Sequence, residues 1–380
     1  MKPLYFDYNA TTPVAPRVFE AMRPFFTDRF GNPGSGHVFG YEAKKAVDAA
    51  RERVAALIGA APEEIVFTSC ATESNNMVLR GVFSDFTGHL VTTAIEHPAI
   101  LMPARELAGR GVGASIAPVD GQGVADPDAV LREMTPGARL VSVMLANNET
   151  GAIQPVAEIA RKARERGALV HTDASQAVGK IPVDVDALGV DFLTIAGHKL
   201  YAPKGVGALY VRKGLSLPPL LAGGGQERGM RSGTENTAYM AALGEACAMA
   251  AEDVNAEAAR QREIGDYLAG GLSRLNLDIR VHSDKAARLP NTLCLGFGGY
   301  QASDLLSECA ALDMALSAGA ACHAGETSVS HVLAAMVVPA RYAEGTLRIS
   351  WGRFTALSDA EDFLNRLQTA FKSLPAPKSA

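Results

Sequence analysis

Apolar residues recur along this chain with the spacing of helices and, between them, in short runs typical of strands. From Ala43 to Ile58 they fall on one helical face, and Gly59 follows where a helix would end. Short apolar runs bounded by glycine, proline or polar turns occupy residues 64–69, 90–94, 140–145, 168–172, 192–195 and 206–211. Because helical patterns intervene, such as residues 156–166, we predict βαβ units and a mostly parallel sheet, hence an α/β fold.

The pattern changes after residue 236. A long helical stretch covers residues 236–275, and shorter units follow at 279–282, 292–297, 303–311 and 346–351. The last helix is predicted to open with a capping box, in which the side chains of Ser358 and Glu361 accept from each other's backbone N–H groups. We predict a large domain over residues 15–255 and a smaller α+β domain that combines residues 1–14 with residues 256–380.

Composition narrows the class of protein. The 380 residues are 48% hydrophobic and 20% charged, as in chains that bury a core. Lys and Arg number 36 against 41 Asp and Glu, and the formal net charge of -5 disfavours non-specific nucleic-acid binding. No apolar run approaches the roughly 20 residues that span a bilayer, and no signal peptide is evident. Five cysteines without CxxC spacing disfavour a disulfide scaffold and a metal site. We expect a cytoplasmic protein without membrane, nucleic-acid or metal partners.

The strongest chemical signal is an aspartate and a lysine that follow two of the predicted strands. Asp173 ends the run 169–173, and Lys199 follows the run 192–195 together with His198. In open α/β sheets, ligands lie at the carboxyl ends of the strands. A lysine and an aspartate there suit pyridoxal phosphate, whose aldehyde binds the lysine and whose pyridinium nitrogen pairs with the aspartate. Taken singly, these residues are typical of a surface lysine and a turn aspartate; taken together they favour the cofactor.

Polar residues follow other strands of the same predicted sheet. Residues 69–74 precede a helix, so their N–H groups and hydroxyls could form a phosphate cup, or Thr72 could be an ordinary N-cap. His97 could stack on a flat ring or move protons, although a lone histidine is more often structural. Asn148, within residues 147–151, places an amide at the same rim.

Two residues in the C-terminal part carry further candidate chemistry. Cys322 is surrounded by small residues and glycines, unlike Cys247 and Cys294, which suit the usual buried free cysteine. A nearby cation would be needed to raise its thiolate fraction. Arg348 interrupts an apolar strand, so it requires an anion, either a substrate carboxylate or a structural ion-pair partner, and the sequence does not choose between them.

Taken together, these residues and motifs resemble those of a known family, the pyridoxal-phosphate-dependent cysteine desulfurases, including their selenocysteine lyase branch. The similarity covers nearly the whole chain and is carried by ordered motifs at residues 7–13, 31–33, 71–76, 96–97, 147–151, 171–176, 197–199, 223–237 and 347–353. The resemblance implies a fold-type-I pyridoxal-phosphate enzyme that forms a homodimer with active sites near the interface.

The resemblance also implies roles around the cofactor ring. Lys199 would carry the cofactor and act as the base at the substrate's Cα. Asp173 would pair with the ring nitrogen, Gln176 would bond the phenolic oxygen, and His97 would stack on the ring.

Other implied roles concern the phosphate and the substrate. Arg348 and Asn148 would hold the carboxylate of L-cysteine or L-selenocysteine, and Cys322 would take the sulfur as a persulfide and leave alanine. The sulfur would pass to an unidentified acceptor, such as an iron–sulfur scaffold, a tRNA-thiolation relay or a selenium pathway. The phosphate would be held by four residues, the last from the partner subunit: Ala71, Thr72, His198 and Thr234.

The sequence departs from the family pattern in places. Cys70 stands where glycine is usual beside the phosphate cup, and Ala196 replaces a serine that many members use to bond the phosphate. The loop around Cys322 resembles the selenocysteine lyase branch, whereas Pro98 after His97 does not. We therefore predict a cysteine desulfurase, with selenocysteine lyase as the alternative.

Overall fold

The chain is described by a computed structural model, which covers residues 2–318 and 329–377. Its strands alternate with helices through the first two hundred residues, as the hydrophobic pattern predicts. The strands are β1 (Leu4–Tyr5), β2 (Ile65–Thr68), β3 (His89–Thr93), β4 (Gly113–Ala117), β5 (Ala138–Ser142), β6 (Leu169–Asp173), β7 (Phe192–Ala196), β8 (Gly207–Val211), β9 (Ile279–Val281), β10 (Thr292–Phe297), β11 (Met314–Ala315), β12 (Ser317–Ala318) and β13 (Thr346–Ser350).

Helices connect these strands and cover the sheets. They are α1 (Pro16–Met22), α2 (Pro24–Thr27), α3 (Val38–Leu57), α4 (Ala71–Val82), α5 (Pro98–Gly109), α6 (Pro127–Arg132), α7 (Val156–Glu165), α8 (Val185–Leu188), α9 (Thr237–Leu272), α10 (Ala302–Ala311), α11 (His331–Ala335), α12 (Ala340–Ala343) and α13 (Leu357–Ser373). Three short 3-10 turns lie at Pro62–Glu64, Gly197–Lys199 and Glu227–Gly229.

A seven-stranded sheet dominates the fold, with strand order β2-β8-β7-β6-β5-β3-β4. Neighbours from β7 to β4 run parallel, whereas β8 is antiparallel to both β7 and β2. The prediction of an α/β fold with a mostly parallel sheet is confirmed. Because the parallel strands share one carboxyl edge, the residues that follow β5, β6 and β7 meet there.

Both faces of this sheet are buried beneath helices. Alternate strand residues belong to different hydrophobic clusters: Val141 packs with α3, α7 and α9, whereas Leu140 packs with α4 and α5. Helices on both faces are the arrangement expected of a sheet whose strands read as continuous apolar runs. This burial holds the polar residues at the strand ends in fixed positions.

A third hydrophobic cluster surrounds a four-stranded antiparallel sheet, with strand order β12-β13-β10-β9. It joins Leu4 and Phe6 to the C-terminal part of α9, to α10 and to α13. Helix α9 contributes to this cluster and to the one that contains Val141, and its helical geometry is interrupted at Asp253, where φ is -148°. The domain boundary near residue 255 stays a prediction.

Two further expectations concern the termini of helices and membrane spans. The predicted capping box of Ser358 and Glu361 is wrong, because α13 begins at Leu357 and the Asp359 carboxylate accepts from the Ala356 N–H at 2.9 Å. Within residues 2–318 and 329–377, no helix is long and apolar enough to cross a membrane.

Candidate active site

A cavity of about 390 Å³ lies where the carboxyl ends of the parallel strands face the four-stranded sheet. It brings together most of the residues that the sequence singled out. Of the other two, Thr234 is exposed and does not line this cavity, and Cys322 lies outside the described residues. The predicted residues that line the cavity are Ala71, Thr72, His97, Asn148, Asp173, Gln176, His198, Lys199 and Arg348.

Lys199 is presented by the turn that ends β7. Its Nζ donates to the backbone oxygen of Asn9 at 2.5 Å. Two residues later, Tyr201 has a φ of 66°, a left-handed conformation that is costly for a bulky side chain. The Tyr201 hydroxyl accepts from the Arg353 N–H at 2.7 Å, which helps to hold this turn against its strain.

Asp173 is the last residue of β6 and is 7% exposed. Asn75, on α4, donates from Nδ2 to Asp173 Oδ2 at 2.7 Å, and the Ser175 N–H donates to Oδ1 at 3.0 Å. These two hydrogen bonds fix the orientation of the Asp173 carboxyl group at the wall of the cavity. Asn75 lay inside a recognised motif, but its local sequence gave no sign of this contact.

Asn9 accepts hydrogen bonds from both lysines of the site and from Gln176. Its backbone oxygen accepts from Gln176 Nε2 at 3.0 Å as well as from Lys199. Lys180 Nζ donates to Asn9 Oδ1 at 3.0 Å and to Gln176 Oε1 at 2.7 Å. Because the Lys180 amine donates, it must face the oxygen of the Gln176 amide, and the NH₂ group of that amide then faces the Asn9 backbone oxygen.

Lys180 was missed by the sequence analysis. It is buried, and burial lowers the pKa of its amine well below the ordinary value, with Lys199 and Arg348 acting in the same direction. Its amine donates to the two acceptors that it contacts, one on Asn9 and one on Gln176. Lys180 lies only four residues after Gln176, at helical spacing, yet its burial depends on the distant Asn9.

One end of the cavity suits an anion. Helix α4 begins at Ala71 after the N-cap residue Cys70, and no side chain caps it. The alternative that Thr72 is an ordinary N-cap is therefore wrong. Uncapped N–H groups at the start of a twelve-residue helix attract negative charge. Cys70 and Ala196, the two departures from the family pattern, both line the cavity.

His198 and His97 line the same cavity in different surroundings. Burial, assisted by Lys199, lowers the pKa of His198 to about 4, and its Nδ1 lies 3.2 Å from the Thr11 hydroxyl. Burial also lowers the pKa of His97, whose Nδ1 accepts from the Ala99 N–H at 3.0 Å. Both rings are therefore neutral near pH 7. In His97 the proton lies on Nε2, because Nδ1 acts as an acceptor.

The sequence left open whether Arg348 pairs with a structural anion or binds a substrate carboxylate, and the structure is compatible with both. Its guanidinium pairs with Asp7, from Nη2 to Oδ1 at 2.6 Å, and donates from Nη1 to the Asn148 backbone oxygen at 3.1 Å. It also lines the cavity, and Nε has no hydrogen-bond partner within the described part of the chain. A structural ion pair therefore holds the guanidinium in place, and donor capacity remains for a second anion.

Two acidic residues beside this site are deeply buried. Burial raises the pKa of Glu96 to about 8, and its Oε1 accepts from the Thr93 hydroxyl at 2.6 Å and from the Met144 N–H at 2.9 Å. Burial also raises the pKa of Glu149, which accepts from the Ser330 hydroxyl at 2.6 Å. Glu149 lies in the 147–151 motif, although the sequence assigned it no role.

His331 was also missed. It begins α11, lines the cavity and donates from Nε2 to the Glu96 backbone oxygen at 3.0 Å. No local pattern marks it, because it follows a serine at the start of a short helix. Elsewhere, Cys247 and Cys294 are buried, as predicted. Within the described residues, no group of three or more His, Cys, Asp or Glu side chains is placed to hold a metal ion.

Comparisons with known proteins give a consistent result. The model of the class-V aminotransferase family matches residues 4–363. A cysteine desulfurase IscS of Dictyoglomus turgidum is 40% identical, over 98% of this chain and 95% of the relative. A solved NifS-like protein superposes with a TM-score of 0.92 at 37% identity, covering 98% of this chain and 100% of its own. The structure of SspA in complex with cysteine gives a TM-score of 0.82 at 35% identity, covering 93% of this chain and 100% of its own.

Proposed function

The chain belongs to the class-V aminotransferase family, and on that premise we propose that it is a cysteine desulfurase, which converts L-cysteine to L-alanine and moves the sulfur to an enzyme cysteine as a persulfide. The strongest support is that Lys199, Asp173 and Arg348 line one cavity. Relatives named cysteine desulfurase and a related structure that holds cysteine support the substrate. The selenocysteine lyase alternative gains no support from these relatives and is not retained.

Pyridoxal 5′-phosphate is the cofactor of this family, and the cavity fits it. Uncapped N–H groups of α4 suit the phosphate, and His198 lines the same cavity. The Asp173 carboxylate, fixed by Asn75, suits a protonated ring nitrogen. The loss of the serine hydroxyl at Ala196 removes one donor, but the helix N-terminus remains. Thr72 and Ala71 complete the proposed phosphate contacts.

The side chains then act on the substrate in distinct ways. When bound, the cofactor supplies an electron-withdrawing ring that stabilises negative charge at the substrate's Cα. Arg348 orients the substrate carboxylate, assisted by Asn148. Lys199 Nζ would take the proton from Cα, and His97 would hold the cofactor ring from the wall of the cavity. Gln176, oriented by Lys180, would supply a donor for the phenolic oxygen.

Cys322 is proposed as the thiol that receives sulfur. Supporting observations come from the described residues on either side of it. Ser317, in β12, pairs with Arg348 in β13, and Ser330 donates to Glu149. The described residues on both sides of 319–328 therefore contact residues that line the cavity. We propose that a second protein, whose identity is not assigned, then accepts the sulfur from Cys322. A cytoplasmic location is part of the same proposal.

A homodimer is part of the same proposal. Large aromatic side chains crowd residues 19–41 with their surfaces exposed, including Phe26 at 57%, Phe30 at 66% and Tyr41 at 63%. Phe30 and Phe39 stack with ring centroids 5.6 Å apart. Several large apolar side chains exposed within one short segment are typical of an interface. The exposure of Thr234 agrees with a role in the partner's cavity rather than its own.

Oligomeric state tests this interface directly. Phe30→Ser should shift the protein from dimer to monomer in light scattering at micromolar concentration. Ile116→Ser is the matched control, because Ile116 is 48% exposed on the edge strand β4, away from the aromatic residues. An unchanged dimer in Phe30→Ser would count against this interface.

The cofactor attachment is tested by borohydride reduction of the purified holoenzyme, followed by peptide mass mapping. The adduct should be found on Lys199. Lys180 is an internal control, since it is a second buried lysine in the same hydrogen-bond network. An adduct on Lys180, or none on either lysine, would reject the proposed site.

The sulfur route is tested by mass spectrometry after exposure to L-cysteine. One added sulfur atom is expected on Cys322, and Cys322→Ala should abolish persulfide formation. Cys309→Ala is the control, because that thiol is buried in the hydrophobic cluster around the four-stranded sheet and burial raises its pKa to about 12. Full desulfuration by Cys322→Ala would exclude the persulfide route.

A further inference from the structure

A carboxylate lies in the first turn of the helix that forms the proposed phosphate cup. Helix α4 begins at Ala71, and Glu73 is its third residue. Within the described part of the chain, no acceptor engages the N–H groups of Ala71 and Thr72, which the proposed function assigns to the cofactor phosphate. An acidic side chain at the third helical position usually interacts with the same end of the helix, because negative charge is favoured there. Glu73 is therefore placed to compete with the phosphate.

Two partners hold the Glu73 carboxylate elsewhere. The Ser69 N–H donates to Oε2 at 2.7 Å, and Arg231 donates from Nε to Oε1 at 2.9 Å. The side chains of Glu73 and Arg231 are 9% and 21% exposed, so water and salt screen this pair only weakly. The carboxylate is thus occupied by partners other than the N–H groups of Ala71 and Thr72.

Glu73 keeps its negative charge in this position. Burial raises its pKa, but hydrogen bonds from Arg231 and Ser69 outweigh burial, and the pKa lies below its ordinary value. The guanidinium of Arg231 supplies one positive charge, so the pair is neutral as a unit beside the cup. Without Arg231, a phosphate at Thr72 would meet an uncompensated carboxylate on the next residue. Like charges repel strongly where burial limits screening.

Arg231 also belongs to the segment that carries Thr234. This segment is held in its own subunit by further contacts, such as the Gly233 N–H, which donates to Gln226 Oε1 at 3.0 Å. Arg231 therefore connects the cup of one subunit with the residue that the proposed dimer directs to the partner's cup. Two roles follow from this position: compensation of the Glu73 charge, and anchoring of the segment. They predict different effects on phosphate binding.

We propose that Arg231 is a positioning residue for the cofactor phosphate: it neutralises the Glu73 carboxylate and holds it off the N-terminus of α4, so that the N–H groups of Ala71 and Thr72 stay available to the phosphate. This role rests on the proposed function, which assigns the cup to the cofactor. Arg231 is not among the residues that line the cavity, so it acts through Glu73.

The experiment compares two ligands of the full-length protein after its cofactor has been removed. One is pyridoxal 5′-phosphate, and the other is pyridoxal, which has the same ring and aldehyde but no phosphate. Arg231→Met removes the positive charge and keeps an unbranched side chain. Because an uncompensated charge at this range changes binding by about tenfold or more, Kd for pyridoxal 5′-phosphate should rise at least about tenfold. Kd for pyridoxal should stay within about threefold of the parent value.

A double variant separates charge compensation from anchoring. Glu73→Gln combined with Arg231→Met leaves no carboxylate to repel the phosphate, so Kd for pyridoxal 5′-phosphate should return to within about threefold of the parent value. Glu73→Gln alone should bind at least as tightly as the parent, because its amide oxygen can still accept from Ser69. Arg80→Met is the matched control: Arg80 lies near the other end of α4, pairs with the exposed Glu106 and should leave both Kd values unchanged.

Each outcome decides the role of Arg231. Selective loss of pyridoxal 5′-phosphate binding, with recovery in the double variant, would support it. Equal weakening of both ligands in Arg231→Met, or a double variant that binds no tighter than Arg231→Met, would overturn it. A parent that binds pyridoxal 5′-phosphate no more tightly than pyridoxal would reject the phosphate cup and this role with it. A parent that binds the cofactor but forms no alanine from L-cysteine would instead reject the desulfurase function, and the two Kd values would still decide the role of Arg231.

Discussion

A buried ion pair holds the segment that leads to Thr234, and it offers a quantitative test of the structure. Glu227 accepts from Arg51 at both carboxylate oxygens, each at 2.7 Å, and Oε2 also accepts from the Phe67 N–H at 3.0 Å. The two side chains are only 1% and 12% exposed. Glu227 and Arg228 have φ values of 50° and 56°, so the pair also holds two residues in a strained backbone conformation.

Glu227→Gln keeps the shape but leaves the Arg51 charge without its counter-ion. Breaking a buried pair in this way costs about 3–5 kcal/mol. At about 2.1 cal/mol/K per residue, a chain of 380 residues has an unfolding entropy near 0.8 kcal/mol/K. If the chain unfolds in one transition, Tm should fall by about 4–6 °C. Differential scanning calorimetry of the holoenzyme measures this shift.

The control is an exposed ion pair of the same length. Glu165 and Arg161 are 63% and 60% exposed and lie 2.7 Å apart. A surface pair of this kind contributes about 0.3–0.5 kcal/mol, so Glu165→Gln should lower Tm by less than about 1 °C. Adding Arg51→Met to Glu227→Gln should remove the unpaired charge and cost less than the sum of the single changes. A Glu227→Gln shift no larger than that of Glu165→Gln would refute the reasoning.

Three further predictions test other parts of the structure. Burial raises the pKa of Glu96 to about 8, so the folded chain keeps a proton that the unfolded chain loses above about pH 4.5. The free energy of unfolding should therefore fall as pH rises from about 5 to 8. Glu96→Gln should flatten this dependence in urea titrations at several pH values. Asn75→Ala removes a charge-assisted hydrogen bond to Asp173 worth about 1.5–3 kcal/mol, and should weaken cofactor binding roughly 10- to 150-fold in reconstitution titrations. Gly244→Ala would place Cβ 2.5 Å from the backbone of α3 and should destabilise by about 1–3 kcal/mol, whereas Gly270→Ala, in open space on the same helix, should stabilise by about 0.5–1 kcal/mol in thermal unfolding.

The controls for these predictions lie in the same regions. An unchanged pH slope in Glu96→Gln would mean that another group dominates between pH 5 and 8. Asn76→Ala, at a partly exposed position of α4 without a contact to Asp173, should leave cofactor affinity unchanged; an equal loss in both variants would remove the special role of Asn75. Equal effects of alanine at residues 244 and 270 would contradict the close approach of α3 and α9.

Six strands of the seven-stranded sheet were predicted because each contains a short apolar run, but their ends were not, and the largely exposed edge strand β4 was missed. The run predicted at 168–172 is β6 at 169–173, because the backbone pairing of Asp173 with Thr194 extends it past its last apolar residue. The cap of α13 was misplaced because Asp359, rather than Glu361, reaches back to the chain. Local composition does not record which of two nearby acidic residues has the right geometry.

The residues of the candidate site likewise fall into those that the sequence could predict and those that it could not. Residues that follow strands, such as Asp173 and Lys199, could be found because the topology of a parallel sheet dictates where strand ends meet. Asn9, Lys180 and His331 could not, since their importance arises from contacts between segments more than a hundred residues apart. Arg348 shows an intermediate case: its need for an anion was predictable, but not that Asp7 would supply one.

The interruption of α9 at Asp253 has a consequence for substrate size. Arg353, which follows β13, clamps both Asp253 oxygens at 2.7 Å. Lys199 is carried by the seven-stranded sheet and Arg348 by the four-stranded sheet, so the span between them depends on how this joint sets the angle of one sheet to the other. Amino acids in which the amino group and the carboxylate are separated by a different number of carbon atoms require a different span between Lys199 and Arg348. Selectivity among them is thus open to adjustment at a joint remote from every atom that touches the substrate.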